Sequence, residues 1–141
     1  MSDTYYVKTF GGLEITNDNV TVNIVELFGK QLVNLLQVLL FHSEKPVQKD
    51  ELIDILWPES KNPSSALKFS IFRLRSELNE IEFFKDKEVI VTTRKGYILN
   101  PNLDWNIDFV ELEKAYNQIN DGSELLDEKE FKTARKIFRL Y

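Results

Sequence analysis

Apolar and polar positions change period several times along the chain, and each change marks an element boundary. From Tyr5 to Phe10 aromatic and β-branched residues recur with interruptions, and Gly11-Gly12 offers a turn. Leu13 to Ile15 is a short apolar run, and Asn17-Asp18-Asn19 is a second turn before Val20 to Val25. Short runs of this kind between turn residues predict a three-stranded antiparallel meander. The period then lengthens. Leu32, Leu35, Leu36, Leu39 and Leu40 fall at i, i+3, i+4, i+7 and i+8, the stripe of an amphipathic helix over about Lys30 to Phe41. Pro46 interrupts the run and Val47 is briefly extended. Asp50, Glu51, Leu52 and Leu56 then predict a shorter helix, with carboxylates in its first turn where the helix dipole favours them.

A third helix is expected from Asn62-Pro63, a cap followed by proline at the first helical position, to about Asn79. Its apolar stripe is Leu67, Ile71, Leu74 and Leu78. After the charged stretch from Glu80 to Lys87, Val89-Ile90-Val91 and Tyr97-Ile98-Leu99 flank Thr93-Arg94-Lys95-Gly96, which predicts a hairpin with a cationic tip. Residues 101–106 read as a linker. Beyond it, Phe109, Leu112, Tyr116 and Ile119 form one helical stripe, Asp121-Gly122-Ser123 a turn, and Phe131, Ala134, Ile137 and Phe138 a second stripe. The expected organisation is therefore a unit over 1–100, a linker over 101–106 and a helical hairpin over 107–141.

Composition narrows the chemistry. The 141 residues, 43% hydrophobic and 29% charged, suffice for an ordinary core. There are no cysteines and one histidine, which removes disulfides, thiolate ligands, cysteine nucleophiles and histidine-rich metal centres. The longest apolar stretch, Leu35 to Phe41, is far short of the roughly 20 residues that cross a bilayer, so a cytoplasmic, membrane-free protein is expected. The carboxylates of Asp50, Glu51, Asp54, Glu111 and Glu113 lack a partner base or a phosphate-binding glycine loop, so they read as solvated faces, and neither an enzyme nor a cofactor is expected. Leu36 to Leu40 matches an LxxLL box and Asn19-Val20-Thr21 a glycosylation sequon, but those leucines belong to a helix core and no secretion signal accompanies the sequon. His42, just past a helix end, is placed to meet the last carbonyls rather than a metal.

The net charge of −5 argues by itself against a nucleic-acid partner, because neutralisation of phosphates supplies much of the affinity. Its distribution reverses the argument. Residues 61–100 carry 8 basic and 5 acidic side chains, whereas 1–60 carry 4 and 9, and 101–141 carry 6 and 9. Three helices followed by a hairpin form a winged helix, in which the third helix enters the major groove and the hairpin reaches the neighbouring backbone or minor groove. The fold class is thus α+β: an antiparallel meander, three helices and a hairpin wing, followed by a partial TPR-like helical hairpin. With Leu67, Ile71, Leu74 and Leu78 inward, steps of about 100° turn Ser65, Lys68, Phe72 and Arg75 outward, with Ser70 and Arg73 at the flank. An outward Phe72 suits a thymine methyl or a sugar in a groove, and the competing reading packs Phe69 and Phe72 under the wing as satellite core.

Three strings carry a family resemblance: Pro46-Val-Gln-Lys-Asp-Glu-Leu-Ile-Asp-Ile-Leu-Trp57, Arg73-Leu-Arg-Ser-Glu-Leu78 and Thr92-Thr-Arg-Lys-Gly-Tyr-Ile-Leu99. In order and spacing they resemble the DNA-binding domain of OmpR/PhoB-type regulators. Within that class, Phe10-Gly-Gly-Leu-Glu-Ile15 and Ile107-Asp-Phe-Val-Glu-Leu112 resemble the Streptomyces antibiotic regulatory protein branch, whose winged helix is followed by a helical bacterial transcriptional activator domain. The resemblance implies a sequence-specific, double-stranded DNA-binding transcriptional activator. Arg73 matches the base-reading arginine, suited to guanine O6 and N7, and Arg75 a phosphate-binding one. Lys68 and Ser70 match DNA-contacting positions, Arg94 and Lys95 the wing contact, and Gly96-Tyr97 a structural pair in the turn and returning strand.

Pro58, Glu59, Ser60, Lys61 and Asn62 fall in the loop through which relatives touch RNA polymerase. Repeated half-sites, RNA polymerase and a second copy of the chain are the implied partners. Phe72 departs from the family, where a basic residue is common, and the wing is short. The sequence holds no receiver domain with a phosphoacceptor aspartate, so control is expected to come in another way or from a part outside this sequence. A lone helical pair exposes an apolar face. The sequence is therefore expected either to be a piece of a longer regulator or to pack that pair on the winged helix or on a second copy. The rival function is a non-catalytic protein-interaction module on a winged-helix scaffold, and the discriminating feature is whether Lys68, Arg73, Arg75, Arg94 and Lys95 share one surface.

Overall fold

The computed structural model describes residues 4–120, with side chains through 117. Strands β1 (Thr4–Lys8), β2 (Glu14–Asn17) and β3 (Val20–Asn23) form the meander, with Val7 opposite Ile15 and Ile15 opposite Val22. Alternation sets the faces: Tyr5 and Val7 are buried, Tyr6 and Lys8 are exposed. Asp18 takes a positive φ of 52° in the second turn, a conformation that aspartate tolerates better than most residues. A single-turn helix α1 (Ile24–Leu27), capped by the Asn23 side chain accepting from the Glu26 amide, leads into α2 (Lys30–Phe41).

Helices α2, α3 (Lys49–Leu56) and α4 (Pro63–Asn79) pack on one another through the expected stripes. Leu35, Leu36, Leu39, Leu40, Leu52, Leu67, Ile71, Leu74 and Leu78 are all essentially sealed from solvent. Pro63 occupies the first turn of α4 as expected, but the Asn62 side chain makes no capping hydrogen bond. Instead the Asn62 amide donates to Ser60 Oγ at 3.2 Å. A single 3₁₀ turn (Glu82–Phe84) buries Phe84 before the hairpin of β4 (Ile90–Thr93) and β5 (Gly96–Leu99). No helix among the described residues is long and apolar enough to cross a membrane.

The segment 101–106 is not simply a linker. Its second half belongs to β6 (Asp104–Ile107), which runs parallel to β1 and completes a four-stranded sheet in the order β3-β2-β1-β6. The sheet that opens the chain is thus finished by residues beyond the expected boundary at 100. The reason is burial. Ile107 enters the core, and Trp105 stacks 5.4 Å from Tyr5 in an aromatic cluster with Phe83 and Phe84, while its Nε1 donates to the Asn100 carbonyl.

Helix α5 (Asp108–Asn120) follows immediately and is fastened to the same sheet. The Asp108 carboxylate accepts from the Thr9 amide at 2.9 and 3.0 Å and from the Thr9 hydroxyl. Phe109 meets Phe41 of α2 edge-on at 4.8 Å. Of the stripe expected on this helix, Phe109 and Tyr116 are buried and Leu112 is 44% exposed. The turn at 121–123 and the second helical stripe lie outside the described residues.

Candidate nucleic-acid interface

The third long helix presents one face to the core and one to solvent, and its sequence separates the two. With Leu67, Ile71, Leu74 and Leu78 inward, the exposed side carries Ser65, Lys68, Phe69, Phe72, Arg73 and Ser76. Phe69 and Phe72 are 62% and 68% exposed, so neither is satellite core under the wing. Ser70 differs from expectation: it is buried, because its position falls beside the core stripe rather than beyond it, and its hydroxyl is withdrawn from the outer face. Arg73 lies over the Phe69 ring, 5.9 Å from its centroid, one turn along the helix.

The hairpin is joined to this helix by Arg75. Its Nε and Nη2 donate to the Ile90 carbonyl at 3.2 and 3.1 Å, and Nη2 donates to Thr92 Oγ1 at 2.6 Å. The residue expected to bind phosphate is therefore first a bracket between helix and wing. Tyr97, buried on β5, has two cations near its ring: the Arg75 guanidinium is 6.0 Å from its centroid and the Lys49 ammonium 5.9 Å. Lys49, at the start of α3, is a cation of this surface that the sequence reading passed over. Only the pairing of Val47 with Tyr97, invisible in either segment alone, brings it there.

That pairing also explains the glycine in the wing. Val47 and Tyr97 exchange backbone hydrogen bonds of 2.8 and 3.0 Å, which adds a third backbone segment to the hairpin. Gly96 has φ +144°, and a Cβ there would lie 1.9 Å from the Val47 carbonyl oxygen. The tip is the two-residue turn Arg94-Lys95 between the paired Thr93 and Gly96. Thr93 Oγ1 closes it, accepting from the Lys95 and Gly96 amides and donating to the Gly96 carbonyl. Arg94 and Lys95 are both exposed. At about 3.3 Å per strand residue, the tip stands roughly 7 to 10 Å beyond the Arg75 anchor on Thr92.

Steps of about 100° order the outer face of α4 from the wing side across: Arg75, Lys68, Phe72, then Phe69 and Arg73. Lys68 and Arg73 thus border the outer face of α4 on its two sides, Arg75 joins the wing-side flank to β4, Lys49 lies against Tyr97 of β5, and Arg94 and Lys95 stand exposed at the hairpin tip. Pro58, Glu59, Ser60, Lys61 and Asn62 form the exposed connection between α3 and α4. No group of three or more His, Cys, Asp or Glu that could hold a metal ion occurs among the described residues.

Residues 21–99, from β3 to the end of the wing, match the family model described as transcriptional regulatory protein, C terminal. Among solved structures, the DNA-binding domain of CadC from E. coli is similar at 27% identity, over 61% of this chain and 77% of that one, with a TM-score of 0.48. EmbR of Mycobacterium tuberculosis, solved in complex with a low-affinity phosphopeptide, is similar at 23% identity, over 67% of this chain and 24% of that one, with a TM-score of 0.51, a likeness of fold. No curated protein sequence is a significant match.

Proposed function

The chain belongs to the OmpR/PhoB-type family of DNA-binding transcriptional regulators, and from that premise we propose that it binds specific duplex sequences with α4 in the major groove and the 94–95 tip on the adjoining backbone or minor groove. The observation that carries this reading is the Arg75 bracket, which fixes the wing beside a helix face bordered by cations. A major groove is about 12 Å wide and accepts one helix, and a wing held at a set distance can meet the flanking phosphates at the same time.

In this reading Arg73 reads a base edge by bidentate donation, while Lys68, Arg94, Lys95 and Lys49 supply phosphate contacts. Arg75 has two of its donor atoms committed to β4 and acts mainly as the strut that aligns the others. Ser65, near the start of the helix, is exposed and in reach of a phosphate or base. The exposed 58–62 connection is the surface offered to RNA polymerase, which makes the regulator an activator. Repeated half-sites filled by two copies complete the assignment. Residues 1–107 act as the DNA-binding unit, and α5 begins the activator region that resembles the Streptomyces antibiotic regulatory proteins.

Selection of bound sequences from a random duplex pool tests the assignment. A consensus made of direct or inverted repeats is expected, and their spacing gives the stoichiometry. Because the chain is acidic overall, affinity for random DNA should be modest and lost by a few hundred millimolar salt. Failure to enrich any sequence would overturn the reading.

A further inference from the structure

The centre of the outward face of α4 is aromatic rather than charged. Phe72 and Phe69 lie about 60° apart around the helix axis, with Lys68 about 40° beyond one and Arg73 about 40° beyond the other. Both rings are more than 60% exposed, whereas the leucines on the opposite side of the same helix are at 2% or less. Water offers no favourable contact to a benzyl ring, and both stay largely open to it even with the Arg73 guanidinium over Phe69. A purely phosphate-directed face would need only the cations.

We propose that Phe69 and Phe72 read the 5-methyl groups of thymines, so that the preferred duplex carries T at the two positions the rings meet, next to the base pair addressed by Arg73. The inference rests on the DNA-binding reading above and adds its ligand chemistry. The thymine methyl is the principal apolar group that B-DNA displays in the major groove, and aromatic side chains are among the residues that contact it. Charge complementarity selects this occupant. The apolar strip is bordered by Lys68 and Arg73, with Arg94 and Lys95 on the neighbouring tip, as suits an apolar group embedded in a polyanion.

The stacking of Arg73 on Phe69 couples the two kinds of readout. The ring on which the guanidinium rests limits its swing, so a base-directed arginine and a methyl-directed phenylalanine advance into the groove as one unit. Phe72, one position before Arg73, sits on the other side of the strip, toward Lys68 and the wing. The methyl-reading positions should therefore fall on both sides of the helix midline.

The experiment compares two synthetic 30-base-pair random pools, one made with thymidine and one with deoxyuridine, which pairs identically and lacks the methyl. Sequences enriched from the thymidine pool are then resynthesised with single T-to-U replacements. The wild-type chain should lose about fourfold in affinity for each contacted methyl, the equivalent of one buried methyl group. Phe72→Ala should abolish the loss at one set of positions, Phe69→Ala at the other, and Phe72→Leu should retain part of it. Both rings are exposed, so the variants should melt with the wild-type midpoint.

Equal affinity of the wild type for thymidine and deoxyuridine duplexes would overturn the inference while leaving DNA binding intact. So would a methyl dependence unchanged in both alanine variants, because other residues would then be reading the methyls. Failure to bind either pool would sink the DNA-binding reading and this inference with it.

Discussion

The Arg75 guanidinium crosses from the last third of the third long helix to the carbonyl oxygen of Ile90, 15 residues later in the chain, donating to it through Nε and Nη2, and with one further donation to Thr92 ties the helix to the hairpin. Arg75→Ala should lower the stability of the fold by about 1 to 2 kcal/mol, the lower part of the range for hydrogen bonds to a charged group, because the site is only half-buried. Arg75→Lys should recover little of it, since an ammonium cannot reproduce the planar fork. Urea unfolding of the two variants measures both.

Replacement of Gly96 by Ala should be more damaging than its size suggests. The added methyl would overlap the Val47 carbonyl, and the backbone at φ +144° disfavours any L side chain. A loss of at least about 2 kcal/mol is expected, with the wing detached from Val47. Amide hydrogen exchange at Val47 and Tyr97, whose N–H groups pair with each other's carbonyls, should accelerate together.

Asp108 holds α5 to the first strand. Asp108→Ala leaves the Thr9 amide and hydroxyl without their acceptor and removes the carboxylate from the start of the helix, at an expected cost of about 2 kcal/mol. The loss should be local. Exchange at Thr9 and through the first turns of α5 should rise, while α4 keeps its protection. Exchange that rises equally over the whole chain would contradict a local fastening.

Periodicity found the longer elements that neighbours in sequence stabilise, but not the single turn α1, where Ile24 and Val25 were expected to continue the third strand. The leucine stripe of α2, the proline start of α4 and the turn chemistry of the wing are local signals, and each element stands where it was expected. The parallel strand β6 escaped because it is four residues long and its partner, β1, lies 100 residues away; no local pattern reports that pairing. Trp105 and Ile107 do alternate, but beside Pro101 and Asn102 they read as a connection. At the site, Phe72 and Arg73 followed from helix geometry. Ser70 sits close enough to the core stripe for a small change in packing to reverse its exposure. Lys49 and the bracing role of Arg75 depend on long-range pairing and could be learned only from the assembled fold.

Two substitutions separate base reading from phosphate attraction. Arg73→Ala should cost about 1 to 3 kcal/mol on the selected site and relax preference at one base pair. Lys95→Ala should weaken all sequences by a similar factor and reduce the salt slope by about one. Fluorescence anisotropy of selected and scrambled duplexes, at several salt concentrations, resolves the two patterns.

The most direct measurement of the central claim is a titration of the isotopically labelled chain with a duplex carrying the selected consensus, followed by backbone amide chemical shifts. Perturbations should gather on Ser65, Lys68, Phe69, Phe72, Arg73 and the 92–96 turn, with Tyr6, Lys8 and α5 unmoved. Shifts that collect on the outer face of the sheet or on α5, leaving α4 silent, would contradict the account.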